Sequence, residues 1–270
     1  MTRLSSWRIA HGHSLALSSF DPSAKPFSQG DKATDKARIA ELSEQIGAVQ
    51  ERLYATRQRS LLIVLQGMDT SGKDGTVRSV FSGINPQGVR VVSFKAPTQE
   101  EREHDFLWRV HRHVPAAGEI AIFNRSHYED VLITRVKGWI DDAEAERRLA
   151  HIRHFEQLLA DRGTAILKCF LHISKDEQKA RLEERLADPA KHWKFDPADL
   201  VERKAWDDYQ CVYAEALSAT SEAHAPWYVV PANSKTHRNL MVAELVLEAL
   251  QGMKLEPPQA NPALAGMKVA

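Results

Sequence analysis

The hydrophobic residues of the chain follow two different spacings. From Asp35 onward they recur at steps of three and four residues, which predicts an amphipathic helix. The apolar face of this helix comprises Ile39, Leu42, Ile46, Val49 and Leu53. Residues 61–65 are then apolar without interruption over the length of a strand. Unbroken apolarity, rather than alternation, predicts a strand that is buried on both faces.

The alternation of strand and helix continues along the chain. Further strands are predicted at 89–94, 119–123, 165–173 and 227–230. A glycine-rich turn followed by a helix is predicted at 67–81, and helices are predicted at 98–113, from 126, at 143–160 and 174–186, from 199, and at 238–250. Thr98 with Glu101, and Ser174 with Glu177, form possible capping boxes. This order predicts an α/β fold with a mainly parallel five-stranded sheet. Such sheets bind ligands at the carboxyl ends of their strands, here after residues 65, 94, 123 and 173.

The same pattern divides the chain into three parts. Residues 1–34 show little periodicity and are predicted to form an arm, residues 35–256 form the α/β domain, and residues 257–270 form a loose tail. The apolar face of the first helix fits either the core or a contact between subunits. We expect a homo-oligomer.

Composition and charge exclude several classes of protein. The 270 residues carry 36 Lys and Arg against 36 Asp and Glu, so no global charge favours nucleic acid or an anionic membrane. The N-terminal sequence lacks the apolar stretch of a signal peptide, and no run is long enough to span a membrane. Two cysteines fit a reducing compartment, and we expect a cytoplasmic protein.

The first predicted strand leads into a glycine-rich motif. Gly67, Thr70, Ser71, Gly72 and Lys73 belong to a G-x-x-x-x-G-K sequence between a strand and a helix, and Gly75 follows it. This is the context of a phosphate-binding loop, in which backbone N–H groups and the lysine surround an anion. The alternative is a chance glycine-rich turn with a surface lysine.

Two carboxylates accompany this loop. Asp74 replaces the Ser or Thr that usually follows the lysine and contacts Mg²⁺, while Asp69 lies within the loop. A carboxylate beside a phosphate needs a cation or a proton, so Asp69 is a candidate Mg²⁺ ligand or general base. An Asx turn for Asp69 and a helix-dipole role for Asp74 are the alternatives.

The third predicted strand ends in polar residues. Asn124 and Arg125 follow it where an acidic residue often stands, and we expect Arg125 to point toward the same phosphate site. Arginine suits a transferring phosphoryl group because it is always charged and binds in a bidentate manner. Glu129 and Asp130 lie one turn later, either at the rim of the site or simply at a solvated helix start.

A basic stretch follows the fourth predicted strand. Residues 175–208 combine many lysines and arginines with three aromatic residues, as expected for a lid that closes over phosphates. Arg181 and Arg185 are four residues apart and share a helix face, so they could bind successive phosphates. A charged, solvent-exposed helix pair is the alternative, because acids are also frequent there.

Taken together, these segments resemble the polyphosphate kinase 2 family. The resemblance covers residues 7–253 and rests on LLIVLQGMDTSGKDGTV, NPQGVRVVSFKAPTQEE, HDFLWRVHRHVP, GEIAIFNRSHYEDVL, EERLADPAKHWKF, WDDY and APWYVVP. It implies a P-loop kinase-like three-layer α/β/α sandwich with a helical lid at about 175–208. It also implies Mg²⁺-dependent, often reversible phosphoryl transfer from inorganic polyphosphate to nucleotides (AMP, ADP, with ATP as a product).

The resemblance also implies roles for individual residues. Asp69 and Lys73 match the catalytic pair of the family's phosphate loop, Arg125 its second-motif arginine, and Arg185, with Arg181, its lid arginine. Asn124 departs from the Asp of many members of the family's first class. The block FNRSHYEDVL looks like the class that accepts nucleoside monophosphates as well as diphosphates, and Glu129 stands where the ADP-preferring class carries Asn.

Two other functions fit the same scaffold. An ATP-dependent kinase of a small metabolite would need no basic groove longer than a triphosphate. A regulatory nucleotide-binding protein without turnover is disfavoured by the presence of Asp69, Lys73 and Arg125.

Overall fold

The centre of the molecule is a sheet of five parallel strands. The computed structural model describes residues 4–12, 15–257, 265 and 267. The strands are β1 (Ser60–Gln66), β2 (Val89–Ser93), β3 (Ile120–Asn124), β4 (Thr164–His172) and β5 (Trp227–Pro231), in the order β2-β3-β1-β4-β5. Every neighbouring pair is parallel. The expected five-stranded sheet is therefore confirmed, and it is wholly parallel.

Helices cover both faces of this sheet. One layer contains α1 (Lys32–Thr56), α2 (Lys73–Phe81) and α10 (Lys235–Gly252), and the opposite layer contains α5 (Glu129–Val136), α6 (Asp142–Asp161) and α9 (Trp206–Thr220). Two short helices, α3 (Gln99–Arg102) and α4 (Trp108–His111), follow β2. After β4 come α7 (Lys175–Ala187), a 3-10 helix (Pro189–Lys194) and α8 (Pro197–Lys204). The result is a three-layer α/β/α sandwich.

The hydrophobic pattern located the core correctly. All seven residues of β1 are buried, as expected for a central strand with a helix layer on each side. Leu42, Ile46 and Leu53 of α1 are fully buried in the same core. The apolar face of α1 is thus core in this chain, and it gives no support to a subunit contact.

The helix expected from 126 begins at Glu129, and the helix expected at 238–250 spans Lys235–Gly252. Two further differences have a clear local cause. The single helix expected at 98–113 is two helices, because the Asp105 carboxylate accepts the Leu107 N–H in a local turn between them. The capping box of Thr98 and Glu101 is confirmed. The helix expected to open at Asp199 begins at Pro197, because Asp196 caps it and proline suits the first helical position.

The N-terminal residues pack against β5. The Ile9 N–H donates to Trp227 O at 2.9 Å, and the Ser221 hydroxyl donates to Ile9 O at 2.7 Å. Leu4, Ile9 and Leu17 are buried against the core. The expected tail at 257–270 lies outside the described residues except for residues 257, 265 and 267. Within the described ranges, no helix combines the length and apolarity of a membrane span.

The strand order positions the site. The connections from β1 and β3 run to helices on opposite faces, α2 and α5, although these two strands are neighbours. A crevice opens at the carboxyl ends of adjacent strands where connections diverge in this way. The loops after β1 and β3 therefore face each other.

Candidate active site

The loop from Gly67 to Lys73 curls over the end of β1. Gly67 and Gly72 have φ values of 148° and 100°, a region in which side chains are strained. A Cβ atom on Gly67 would lie 2.6 Å from Leu171 O, and one on Gly72 would lie 1.9 Å from an Arg238 nitrogen. Gly67 is therefore required both by a close backbone contact and by its φ, whereas a side chain at Gly72 would be strained by φ and would displace the Arg238 guanidinium.

Lys73 begins α2 and turns back over the loop. Its Nζ donates to Gly67 O at 2.8 Å and to Met68 O at 3.4 Å. Burial lowers the pKa of Lys73, and the nearby charge of Arg125 lowers it further. The loop hydroxyls Thr70 Oγ1 and Ser71 Oγ are buried without a hydrogen-bond partner among the described residues. Lys73 and Thr70 line the cavity beside the loop, whereas Ser71 is fully buried and does not line it.

Asp69 and Arg125 meet across the crevice. Arg125 Nη2 donates to Asp69 Oδ1 at 2.7 Å. Burial alone would raise the pKa of Asp69, but the charges of Lys73 and Arg125 outweigh burial and lower it. Arg125 has a φ of 63°, a strained conformation that is common at functional sites. Residues that follow β1 and β3 therefore meet at one site, as predicted.

Four further polar residues end β3 or begin α2 and α5 beside this pair. Asn124 Nδ2 donates to Asp74 Oδ1, which links the end of β3 to the first turn of α2. Glu129 is partly buried near Arg125, and burial raises its pKa against the opposing charges of Arg125 and Lys73. Asp130 is instead bound by Arg109 at 3.1 Å.

Two buried arginines donate hydrogen bonds to carbonyl oxygens of the phosphate loop. Arg181 donates to the loop carbonyls Thr70 O and Ser71 O at 2.8 and 3.2 Å, to Ala232 O and Asn233 O, and to Glu177. These bonds occupy all the N–H groups of its guanidinium, so in this structure Arg181 binds the loop backbone and has no N–H group left for a second phosphate beside Arg185.

Arg238 of α10 is the second of these arginines. It donates to Ser71 O at 3.0 Å and lies against Gly72 and Gly75. Burial and the nearby charge of Arg181 lower its pKa to about 9, so it remains charged at neutral pH. Arg238 was not predicted, because only the ends of β1 to β4 were expected to bind ligand. The end of β5 lies at the same edge of the sheet, and that rule would have included the first turn of α10.

The segment after β4 brings further charges over the loop. Arg185 donates to Lys194 O at 3.0 Å and lies 3.7 Å from Asp199. Burial raises the pKa of Asp199 to about 6. Burial and the Asp69 charge raise the pKa of Glu202 to about 7, and Glu202 shares a hydrogen bond with Asp69. Nothing in the sequence distinguishes Glu202 from the other acids of α8.

Two cavities adjoin at Arg125. The loop cavity, of about 560 Å³, is lined by the phosphate loop, Arg185 and the segment from Lys191 to Asp199. The wide cavity, of about 1210 Å³, lies between α3, α4, α5 and α6. Phe94, Lys95 and Arg125 line both cavities. Glu129 and Asp130 line the wide cavity.

The fold and this site define a phosphoryl-transfer enzyme with a P-loop kinase-like α/β fold. An anion-binding loop, a lysine and an opposing arginine meet at the junction of two cavities, as a reaction between two phosphate-bearing substrates requires.

The chain belongs to the polyphosphate kinase 2 family, whose model matches residues 29–258. It is 49% identical to an AMP/ADP-polyphosphate phosphotransferase of Meiothermus ruber, over 95% of this chain and 96% of that one. It is 41% identical to an ADP-polyphosphate phosphotransferase of Rhodopseudomonas palustris, over 95% and 93% of the two chains. The crystal structure of polyphosphate kinase 2 from Arthrobacter aurescens TC1 superposes with a TM-score of 0.93, at 48% identity, over 97% of this chain and 93% of that one.

Proposed function

We propose that the protein transfers a phosphoryl group from inorganic polyphosphate to AMP or ADP, in a reversible reaction. One structural observation carries the proposal: two cavities of different character meet at Arg125, close to the phosphate loop. The names of the relatives from Meiothermus ruber and Rhodopseudomonas palustris support the same donor and acceptors.

The loop cavity suits the donor. Nine lysine and arginine side chains line it against five carboxylates. Polyphosphate carries about one negative charge for each phosphate, so its binding site must be basic. Local clustering of this kind supplies that charge while the whole chain stays neutral.

The wide cavity suits the acceptor. Its volume of about 1210 Å³ accommodates a nucleotide, and Phe106, Trp139 and Phe155 offer apolar surface to a base. Arg109 and Arg148, also in its lining, offer positive charge to the acceptor phosphates. Lys95 and Arg125, shared with the loop cavity, lie where the two substrates would meet.

Transfer would take place at this junction. The bond between the terminal phosphorus of polyphosphate and its bridging oxygen breaks, and a terminal phosphate oxygen of the acceptor forms the new bond. Lys73 and Arg125 stabilise the charge on the transferred group, and the backbone N–H groups of the loop orient it. Asp69 positions the acceptor and Arg125. Arg181 and Arg238 keep the loop in its curled conformation.

The donor set near Asp69 fits Mg²⁺. The described residues contain no cluster of three side chains that could hold a metal by themselves. Mg²⁺ commonly takes one or two carboxylates and completes its shell with phosphate oxygens and water. Asp69, whose lowered pKa keeps it ionised, would hold the ion with the loop hydroxyl of Thr70 nearby. The ion would supply further neutralisation of phosphate charge.

We extend the proposal to the organisation of the chain. Residues 35–256 act as the catalytic domain, residues 1–34 as an N-terminal arm, and residues 175–208 as a lid that closes over the donor. We also propose a cytoplasmic location, which the two free cysteines support. A homo-oligomer remains our expectation, and light scattering of the purified protein tests it.

An assay with purified protein, Mg²⁺, polyphosphate and AMP or ADP tests the function. Chromatography should detect ADP from AMP and ATP from ADP, and neither product without polyphosphate. The alternative, an ATP-dependent kinase of a small metabolite, is not favoured by the relatives. Absence of nucleotide products with every chain length of polyphosphate would reject the proposal.

A further inference from the structure

A third cavity opens beside the start of α10, outside the site described above. Its volume is about 320 Å³, and its wall combines residues 25–35 with the first residues of α10. We call it the outer cavity. Three lysines, Lys25, Lys32 and Lys235, lie on its wall, and all three are exposed.

The rim of the outer cavity is held in place by backbone contacts. The Asn233 N–H donates to Pro22 O at 3.0 Å, and the Phe27 N–H donates to His237 Nε2 at 3.1 Å. These bonds fix the segment around Lys25 against the start of α10. The cavity therefore exists before any ligand binds.

The outer cavity has an excess of positive charge. Among the described residues, Asp35 is the one carboxylate on its wall. Both Asp35 oxygens already accept hydrogen bonds, from Ser28 Oγ at 2.8 Å and from the Gln29 N–H at 3.1 Å. No ion pair of Lys25 or Lys32 is found in the part of the chain that the structure describes. Ser234 already caps α10, so anion binding in this cavity depends on the lysines and not on the helix N-terminus.

Lys235 connects the outer cavity to the loop cavity. It lines both, and one helical turn later Arg238 contacts the phosphate loop. Between the cavities, Glu184 pairs with Lys235 at 3.3 Å and with Lys191 at 2.8 Å. Exposed pairs of this kind contribute little free energy, so a polyanion can displace Glu184.

We propose that the outer cavity is a second subsite for polyphosphate, in which Lys25, Lys32 and Lys235 bind the part of a long chain that extends beyond the loop cavity. The inference rests on the proposed function and adds to it a dependence on chain length. Short donors end within the loop cavity, whereas long donors reach Lys25 and Lys32. These two lysines then affect affinity for long chains and not the chemical step.

The test compares Lys25→Gln/Lys32→Gln with the matched control Lys36→Gln/Lys254→Gln, which removes two lysines outside the cavity wall. The Lys25→Gln/Lys32→Gln variant should raise the KM for long-chain polyphosphate by about three- to tenfold, as two exposed charge contacts would. Its kcat should stay at the wild-type value. The inhibition constant of tripolyphosphate against the long-chain donor should not change.

The outcomes separate this inference from the function on which it rests. A wild-type protein without activity on any polyphosphate rejects the proposed function. An active wild type with equal KM values in the variant and the control rejects the outer subsite. The subsite is also rejected if the variant weakens tripolyphosphate as much as the long chain, because that result places the lysines at the loop cavity.

Discussion

Lys73 and Arg125 reach the same point from different strands, and each contributes a charge that the other cannot replace. We predict that Lys73→Ala or Arg125→Ala lowers kcat by on the order of a hundredfold or more, as loss of one group that stabilises transition-state charge does. Circular dichroism should remain that of the wild type. Arg52→Ala, on the exposed side of α1, is the control. Turnover near the wild-type level in both site variants would contradict the assigned site.

Glu129 gives a prediction about the choice of acceptor. Its partly buried carboxylate lies near Arg125 and lines the wide cavity, on the proposed acceptor side. AMP brings less negative charge to this position than ADP, so a carboxylate is better tolerated when the acceptor is AMP. Glu129→Asn should therefore lower kcat/KM for AMP more than for ADP, by a factor of about three or more. An unchanged ratio with activity retained would leave Glu129 as a helix-dipole residue.

Individual residues of the site were predictable where a motif placed them. Asp69, Lys73 and Arg125 follow strands in the printed sequence, and their convergence follows from the parallel sheet. The use of Arg181 as a clamp on the loop backbone was not predictable, because its partners are carbonyl oxygens distant in sequence. The proximity of Glu202 to Asp69 depends in the same way on how α8 folds over the loop.

At the scale of elements, the segment from α7 to α8 contributes to the proposed binding site for the donor. Arg185 faces the loop cavity from α7, whereas Lys179 of the same helix pairs with Glu183 outside it. Arg185→Ala should lower kcat/KM for polyphosphate roughly ten- to a hundredfold, the usual effect of losing a hydrogen bond to a charged group. Lys179→Ala should have little effect.

The KM for polyphosphate should also rise with salt, because exposed charges are screened. A KM that is independent of salt would contradict a basic groove.

The contact between the N-terminal segment and α10 predicts a dependence of stability on pH. His237 is buried and accepts the Phe27 N–H at Nε2, so it must be neutral. Burial lowers its pKa from 6.5 to about 4. Below pH 6.5 the unfolded chain therefore binds more protons than the folded one, and the free energy of unfolding falls as the pH drops from 6.5 to 4. His237→Gln, whose amide oxygen can accept the same N–H, should flatten this slope in urea titrations. A slope equal to that of the wild type would show that His237 does not contribute.

Elements were predictable from periodicity to within a few residues, and the exceptions have local causes. The break between α3 and α4 depends on a side-chain hydrogen bond of Asp105, which the apolar pattern does not record. The start of α8 depends on the cap at Asp196 and on Pro197. The order of the strands is set by tertiary packing and cannot be read from the pattern along the chain.

At the scale of the whole molecule, equal numbers of acidic and basic residues conceal an uneven distribution. Basic side chains concentrate around the loop cavity and continue through Lys235 to the outer cavity. The wide cavity on the other side of Arg125 combines apolar with charged residues. This asymmetry is what an enzyme with an inorganic polyanion as donor and a nucleotide as acceptor requires.

Direct transfer of phosphorus from polyphosphate to the nucleotide is the central claim. The most direct measurement incubates the protein with Mg²⁺, unlabelled AMP and polyphosphate labelled with radioactive phosphorus, and separates the products by chromatography. One labelled phosphoryl group should appear in each ADP formed and two in each ATP, without ATP having been added. A label found only in orthophosphate, or unlabelled nucleotides that require added ATP, would contradict the account.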